Sequence, residues 1–206
     1  MGRFPAWLGR AGAAALALTL LSPVAAQAQF SDNYNFLKAV KDADGQKVTD
    51  LIQKPGSTVI NSRDVTSGET ALHLVIARRD ATWLAFLLAK GANPNLTDND
   101  GNTPLMKAVQ ARFIDGVTLL LSGGAQIDKA NGSGETPLIR AVQLHEVGLV
   151  RLLVARGANA DRRDSIAGMS ARDYAERESR TPGLVEALSA AKSSAAPKGP
   201  VQGPVF

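Results

Sequence analysis

A motif that recurs every 33 residues constrains this chain more than any other feature of its sequence. The motif runs from glycine through threonine to proline or alanine and then leucine, and its copies begin at Gly68, Gly101 and Gly134. A second marker, a glycine–alanine pair after an apolar run, keeps the same spacing and begins at Gly91, Gly124 and Gly157. Two markers with one period indicate a repeat array, in which units of this length stack on one another.

Each repeat unit is predicted to contain two helices. The threonine of the motif can cap the free amides of a helix, and Pro104 and Pro137 suit the first helical position, which needs no amide hydrogen. The first helix of each unit therefore begins at the motif. The second helix is predicted over 81–89, 113–122 and 146–155, and it ends at the second glycine, the usual left-handed helix stop.

The order of helix, short loop, helix and turn-rich finger, with Thr103-Pro104-Leu105 and Thr136-Pro137-Leu138 at the helix starts, closely resembles the ankyrin repeat family. This resemblance implies a mainly α fold, a solenoid of stacked helix-loop-helix units with β-hairpin-like fingers. It also implies that His73, which stands in the histidine position of the family's Thr-Pro-Leu-His pattern, ties neighbouring units together by hydrogen bonds. Met106 and Ile139 hold that position in the next two units, which implies weaker links there.

The repeats divide the chain into an array with a cap at each end. Full-pattern repeats are predicted over 64–96, 97–129 and 130–163. The blurred unit at 31–63 and the charged unit at 164–191 are predicted to be caps, which show one polar face because nothing stacks outside them. Together these units form a repeat domain over 29–191. Residues 192–206 are rich in proline, glycine and small side chains and are predicted to be a disordered tail.

Residues 1–28 have the order of regions typical of an export signal. Two arginines supply positive charge, 11–21 form an apolar stretch of signal length, and Ala26-Gln27-Ala28 offers small residues for cleavage. The apolar run is shorter than the roughly 20 residues that a membrane-spanning helix needs. The sequence therefore predicts cleavage before Gln29 and a periplasmic protein. The alternative is an uncleaved tail that stays associated with the membrane.

Charge and cysteine content disfavour several classes of partner and site. The formal net charge of +4 falls to +2 when residues 1–28 are removed, because that segment holds two arginines and no acid. This charge is too small to argue for nucleic acid or an anionic membrane as a partner. The chain has no cysteine, so disulfides and thiolate metal sites are ruled out.

The residues that could carry chemistry do not form a site. The chain has two histidines, His73 and His145, and the second falls in the loop between helices, where a solvated residue is expected. The segment 98–101 carries acids next to a glycine, but Leu96 and Lys107 stand where a calcium loop needs its first and last ligands. No serine lies in a Gly-x-Ser-x-Gly motif. The sequence thus predicts no catalytic residue, no cofactor and no metal.

The positions left for binding lie on the fingers and at the ends of the helices. In the family that the sequence resembles, ligands are usually proteins, bound by finger tips and by the exposed side of the first helices. Matching this pattern gives as candidate protein-binding residues Arg78, Lys90, Thr97, Asn99, Asp100, Asn102, Gln110, Ala111, Ser133, Glu135, Gln143, Leu144 and Arg156. Their mixed charge and modest apolar content do not identify a partner.

The sequence favours a non-catalytic, exported module that binds another protein, as a monomer, through a concave groove of fingers and first helices. Neither nucleic acid nor, after cleavage, a membrane is expected as a partner. Two alternatives stay open. One is a passive scaffold or stress-protection factor of the cell envelope without a dedicated partner. The other is a hydrolase with a diffuse site on the fingers, which the lack of a nucleophile, base and orienting group disfavours.

Overall fold

The structure is a computed structural model that describes residues 23–178, 181 and 183–189. Its side chains are described from residue 31 onward. The charged start and the apolar stretch of the predicted export signal lie outside the described residues, as does the predicted tail at 192–206.

Ten α-helices make up most of the described chain. They are α1 Pro23–Lys41, α2 Gly45–Gln53, α3 Ala71–Ala77, α4 Ala81–Ala89, α5 Pro104–Gln110, α6 Ile114–Ser122, α7 Pro137–Gln143, α8 Val147–Ala155, α9 Ala171–Arg177 and α10 Leu184–Ser189. The second helices predicted from the sequence agree with α4, α6 and α8 to within one residue at each end. Within the described part of the chain, no helix is long and apolar enough to cross a membrane.

The first helices begin where the threonine–proline motif predicts. The Thr103 hydroxyl accepts a hydrogen bond from the Met106 N–H at 3.2 Å, and Thr136 does the same for Ile139 at 3.2 Å. The proline that follows each threonine lies in the first turn of α5 or α7, where no hydrogen bond is lost. The motif therefore sets both the start and the spacing of the helices.

The helices stack in the order of the chain. Each odd-numbered helix packs against the next odd-numbered one and against the second helix of its own unit. The motif leucines Leu72, Leu105 and Leu138 are at most 1% exposed, so each unit contributes one side chain to a continuous core strip. This arrangement, in which every unit contacts only its neighbours, confirms the predicted solenoid.

Four fingers connect the units, namely finger 1 at 64–69, finger 2 at 98–102, finger 3 at 131–135 and finger 4 at 164–169. Hairpin character is limited to isolated antiparallel bridges between Arg63 and Thr70 and between Arg163 and Ser170. Neighbouring finger tips are joined instead by single backbone hydrogen bonds, from Asn99 N–H to Ser67 O, from Gly132 N–H to Asp100 O and from Ser165 N–H to Ser133 O, at 2.9–3.0 Å. The fingers therefore stack in a row beside the first helices.

Candidate functional site

The fingers and the first helices are linked by polar contacts along one side of the array. Each finger contributes a carboxylate that meets a side chain of a first helix. These pairs are Asp64 with Lys41 (3.8 Å), Asp98 with Lys107 (3.1 Å), Glu135 with Arg140 (2.7 Å) and Asp164 with Tyr174 (2.7 Å). We call the surface shared by the fingers and the first helices the groove.

Asp98 shows how these contacts hold a finger. It is 5% exposed, and its Oδ1 accepts hydrogen bonds from the N–H groups of Asp100 (3.0 Å) and Asn102 (2.8 Å). Burial alone would raise the pKa of Asp98, but the hydrogen bonds from Lys107 and Asn102 outweigh burial and lower that pKa. Asp98 is therefore an ionised group that closes the turn of finger 2, and both of its carboxylate oxygens accept hydrogen bonds from within the protein.

Two of the predicted binding residues are internal, which corrects their assignment to the exposed surface. Asn102 is 6% exposed, and its side-chain amide donates to Asp98 at 3.3 Å and accepts from Asn131 at 3.3 Å. Glu135 is also 6% exposed, and its carboxylate accepts from Arg140 at 2.7 Å. Both residues follow the turn glycine, where the chain returns toward the first helix and encloses the side chain.

His73 links its unit to the next one, as the family resemblance implies. Its Nδ1 accepts a hydrogen bond from the Thr70 N–H at 3.1 Å. This leaves Nε2 to carry the proton, and Nε2 donates to the Asn102 carbonyl oxygen at 3.1 Å. Burial is the largest influence on His73 and lowers its pKa, so the ring is neutral at neutral pH. His73 therefore serves the stacking of units.

The other predicted residues lie at the surface, and the structure divides them between two sides. Those on or beside the fingers and first helices belong to the groove, and they are Arg78, Thr97, Asn99, Asp100, Gln110, Ala111, Ser133, Gln143 and Leu144. Lys90 and Arg156 end second helices instead. The Lys90 ammonium lies 5.7 Å from the Phe86 ring, and Arg156 lines a cavity between α8 and α10. These two residues therefore lie outside the groove.

Two exposed groove residues are already tied to the preceding unit. One guanidinium nitrogen of Arg78 donates to the Val40 carbonyl oxygen at 2.6 Å, and the Asn99 side chain donates to the Thr66 carbonyl oxygen at 2.8 Å. Both bonds hold neighbouring units in position. Of the three exposed groove candidates, Arg78, Asn99 and Asp100, only Asp100 has a side chain without a hydrogen bond or ion pair among the described residues.

The structure adds three exposed apolar residues that the sequence pattern did not single out. Tyr34, Val65 and Ile166 are 66%, 78% and 82% exposed. Val65 and Ile166 stand on the first and last fingers, which have three residues between their first residue and the turn glycine, whereas the middle fingers have two. This extra residue is the signal that could have identified them, because it lengthens the turn and carries an apolar side chain to its tip.

Comparison with known proteins places this architecture in a family. A family model described as ankyrin repeats (3 copies) matches residues 36–131 and 84–164. A putative ankyrin repeat protein of Fowlpox virus (strain NVSL) is 39% identical over 83 residues, which are 40% of this chain and 24% of that protein. The nuclear factor NF-kappa-B p110 subunit of Drosophila melanogaster is 44% identical over 52 residues, 25% of this chain and 5% of that protein. This chain thus spans a quarter or less of these relatives.

Ankyrin repeats are protein–protein interaction modules and are generally not catalytic. The matched segments together cover more than half of the chain, and they coincide with the units that stack in the structure. Because the period, the stacking and the family match agree, this chain belongs to the ankyrin repeat family.

Proposed function

We propose that this chain is a non-catalytic module that binds another protein, as a monomer, through its groove. The observation that carries this proposal is that consecutive units shape the surface together. A cavity of about 260 Å³ is lined by Asn131 and Ser133 of finger 3, Gln143 of α7, Ile166 of finger 4 and Tyr174 of α9. A specific interface typically buries about 800 Å² on each partner, more than one finger offers, so binding requires several units at once.

The positions of the reactive side chains support binding over catalysis. His73 and Asp98 are both buried, and their polar atoms are used in hydrogen bonds that hold the fingers and units together. His145 stands in a loop, with its Nε2 3.9 Å from the Glu178 carboxylate. His73 and Asp98 are therefore committed to structural hydrogen bonds, and His145 lies in a loop rather than beside a nucleophile.

The binding proposal predicts that Asp100→Arg combined with Gln110→Arg strongly reduces capture of the partner. Both side chains project from the groove, so the new charges would meet a surface that is complementary to the original groups. A pull-down from the periplasmic fraction of the native host should give one dominant protein at stoichiometric yield with the original chain. The double variant should reduce that yield at least about tenfold, the effect of one lost anchoring interaction. Circular dichroism should stay unchanged.

The matched control for this test places the same changes on the second helices. Asp115→Arg and Thr82→Arg alter charge by the same amounts on α6 and α4, where both residues are exposed. This control should capture the partner normally. Loss of capture in the control alone would assign binding to the second-helix side. Absence of any dominant captured protein would favour the passive scaffold of the cell envelope.

We also propose that the protein is exported to the periplasm or cell envelope after cleavage before Gln29. The support is the order of charged, apolar and small residues in the first 28 residues. Cleavage there would preserve Phe36, Leu37, Ala39 and Val40, which are the core residues among the described side chains of α1. Mass spectrometry of the protein from its native host should find an N-terminus near Gln29. Recovery of intact Met1 from a soluble cytoplasmic fraction would contradict export.

A further inference from the structure

A cavity of about 350 Å³ lies between α1 and finger 1, at the end of the groove that is formed by the first unit. Its apolar lining consists of Tyr34 and Leu37 of α1 and Val65 of finger 1. Leu37 forms the buried part of this lining at 5% exposure, whereas Tyr34 and Val65 are among the most exposed apolar side chains in the described chain. The cavity therefore has an apolar floor and two apolar walls that reach into solvent.

Exposed apolar side chains around a cavity are typical of a pocket that receives an anchoring side chain of a partner protein. The groups that contribute most to protein interfaces are large side chains buried in a pocket and surrounded by a polar rim that excludes water. Leaving Tyr34 and Val65 in water forgoes the favourable burial of both side chains. The cavity between them is therefore suited to one large apolar side chain from a partner.

The rim of this cavity is basic. Lys38, Lys41 and Arg63 line it together with two acids, Asp42 and Asp64. Both acids pair with rim cations, Asp42 with Lys38 at 2.6 Å and Asp64 with Lys41 at 3.8 Å, and Asp64 Oδ1 also accepts two backbone N–H bonds within finger 1. The two pairs cancel in charge, so the rim keeps a net charge of +1, which Arg63 carries.

Arg63 is the cation best placed to meet a partner. Its Nε donates to the Gly68 carbonyl oxygen at 3.1 Å, which holds the side chain against finger 1. Among the described residues, no carboxylate lies within ion-pair distance of its guanidinium. A guanidinium has five N–H donors in a planar fork that suits a carboxylate, so donors remain for an acidic ligand.

We propose that this cavity binds an acidic segment of the partner protein. One large apolar side chain of that segment lies between Tyr34 and Val65, and a neighbouring carboxylate meets Arg63. This inference rests on the proposed function, because it names the partner chemistry for one end of the same groove. An anionic membrane is attracted by a protein surface that carries positive charge alone. The two acids on this rim therefore disfavour a membrane as its ligand.

The test uses two capped tripeptides, Ac-Glu-Phe-Glu-NH2 and Ac-Lys-Phe-Lys-NH2, added to the 15N-labelled full chain. A single weak anchor is expected to bind with a dissociation constant of about 1 mM. At about that peptide concentration, the acidic peptide should shift the amide signals of residues 33–42 and 63–66. The basic peptide should bind at least about tenfold more weakly, because its charges repel the rim. This comparison isolates charge, since both peptides carry the same phenylalanine.

Val65→Asp tests the site itself. This change removes an apolar wall and adds a negative charge, so it should weaken the acidic peptide at least about tenfold. Ile166→Asp makes the same change on finger 4 and should leave peptide binding at the first unit unaltered. Both residues are more than three-quarters exposed, so both variants should keep the dispersed amide spectrum of the original chain.

Three results would overturn the inference. They are equal shifts with both peptides, no shift with the acidic peptide, and shifts of the same residues by phosphatidylglycerol vesicles without peptide binding. The inference can fail while the proposed function holds. In that case the Asp100→Arg and Gln110→Arg variant still loses the captured protein, and the tripeptides do not bind.

Discussion

Gly101→Ala is expected to destabilise the array by about 2–5 kcal/mol, whereas the same change at Gly124 should cost about 1–2 kcal/mol. Both glycines have a positive φ, +79° and +87°, so a side chain is strained at either position. They differ in the space around them. A Cβ at Gly101 would lie 2.5 Å from the backbone nitrogen of Gly132, while a Cβ at Gly124 would meet nothing within 4 Å.

The larger loss at Gly101 has a second cause. Gly132 donates its N–H to the Asp100 carbonyl oxygen at 3.0 Å, so displacing its backbone would also weaken the bond that joins fingers 2 and 3. Urea melts of the two variants, followed by circular dichroism, give both free energies of unfolding. Equal losses at the two glycines would show that the finger tips do not stack closely, and that only the backbone conformation matters.

The two glycine series also show what the sequence can predict. The period alone places them, and the second series correctly marks the ends of α4, α6 and α8. A turn with positive φ is also predictable at the first series, because glycine adopts it without a steric penalty. The close approach of Gly101 to Gly132 is not predictable, since it joins residues of different units and depends on how far the fingers lean together.

The loops between paired helices show another limit. Arg79, Arg112 and His145 occupy equivalent positions, and all three have positive φ values between 51° and 59°. Non-glycine residues seldom adopt this conformation, and although histidine does so more often than most, the identity of the two arginines does not predict it. The surrounding helices impose it, and partners then hold the side chains, as where Arg79 donates to the Arg112 carbonyl oxygen and Arg112 pairs with Glu146.

The sequence predicts where the groove lies better than it predicts which individual residues are exposed in it. The pattern correctly places Asp100 and Gln110 at exposed or half-exposed positions, because it specifies which part of each unit faces outward. The pattern does not separate Asn102 and Glu135 from the exposed groove residues. Both follow the turn glycine, and hydrogen bonds to a neighbouring finger or helix enclose their side chains. Burial of a polar side chain depends on such partners, which come from the next finger for Asn102 and from the following first helix for Glu135.

Leu105→Ala is expected to destabilise the protein by about 2–5 kcal/mol, the range found when a buried leucine site is emptied. Leu184→Ala should cost less, or should unfold only the last unit. Burial does not separate these residues, because both are 0% exposed. The two residues differ in their position in the array. Leu105 lies in α5, which packs against α3 and α7, so damage there weakens the contacts to both neighbouring units.

Leu184 lies in α10, which packs against α8 and α9 at one end of the described array, so its loss affects one interface between units. In a linear array, stability is approximately the sum of the unit and interface terms, and a central defect therefore removes more than a terminal one. Denaturant melts of both variants measure the difference. The Leu184 variant should show a small early loss of helix followed by a main transition close to the original midpoint. Equal losses and identical single transitions would mean that the array unfolds as one cooperative block, so that a unit's position does not affect the cost.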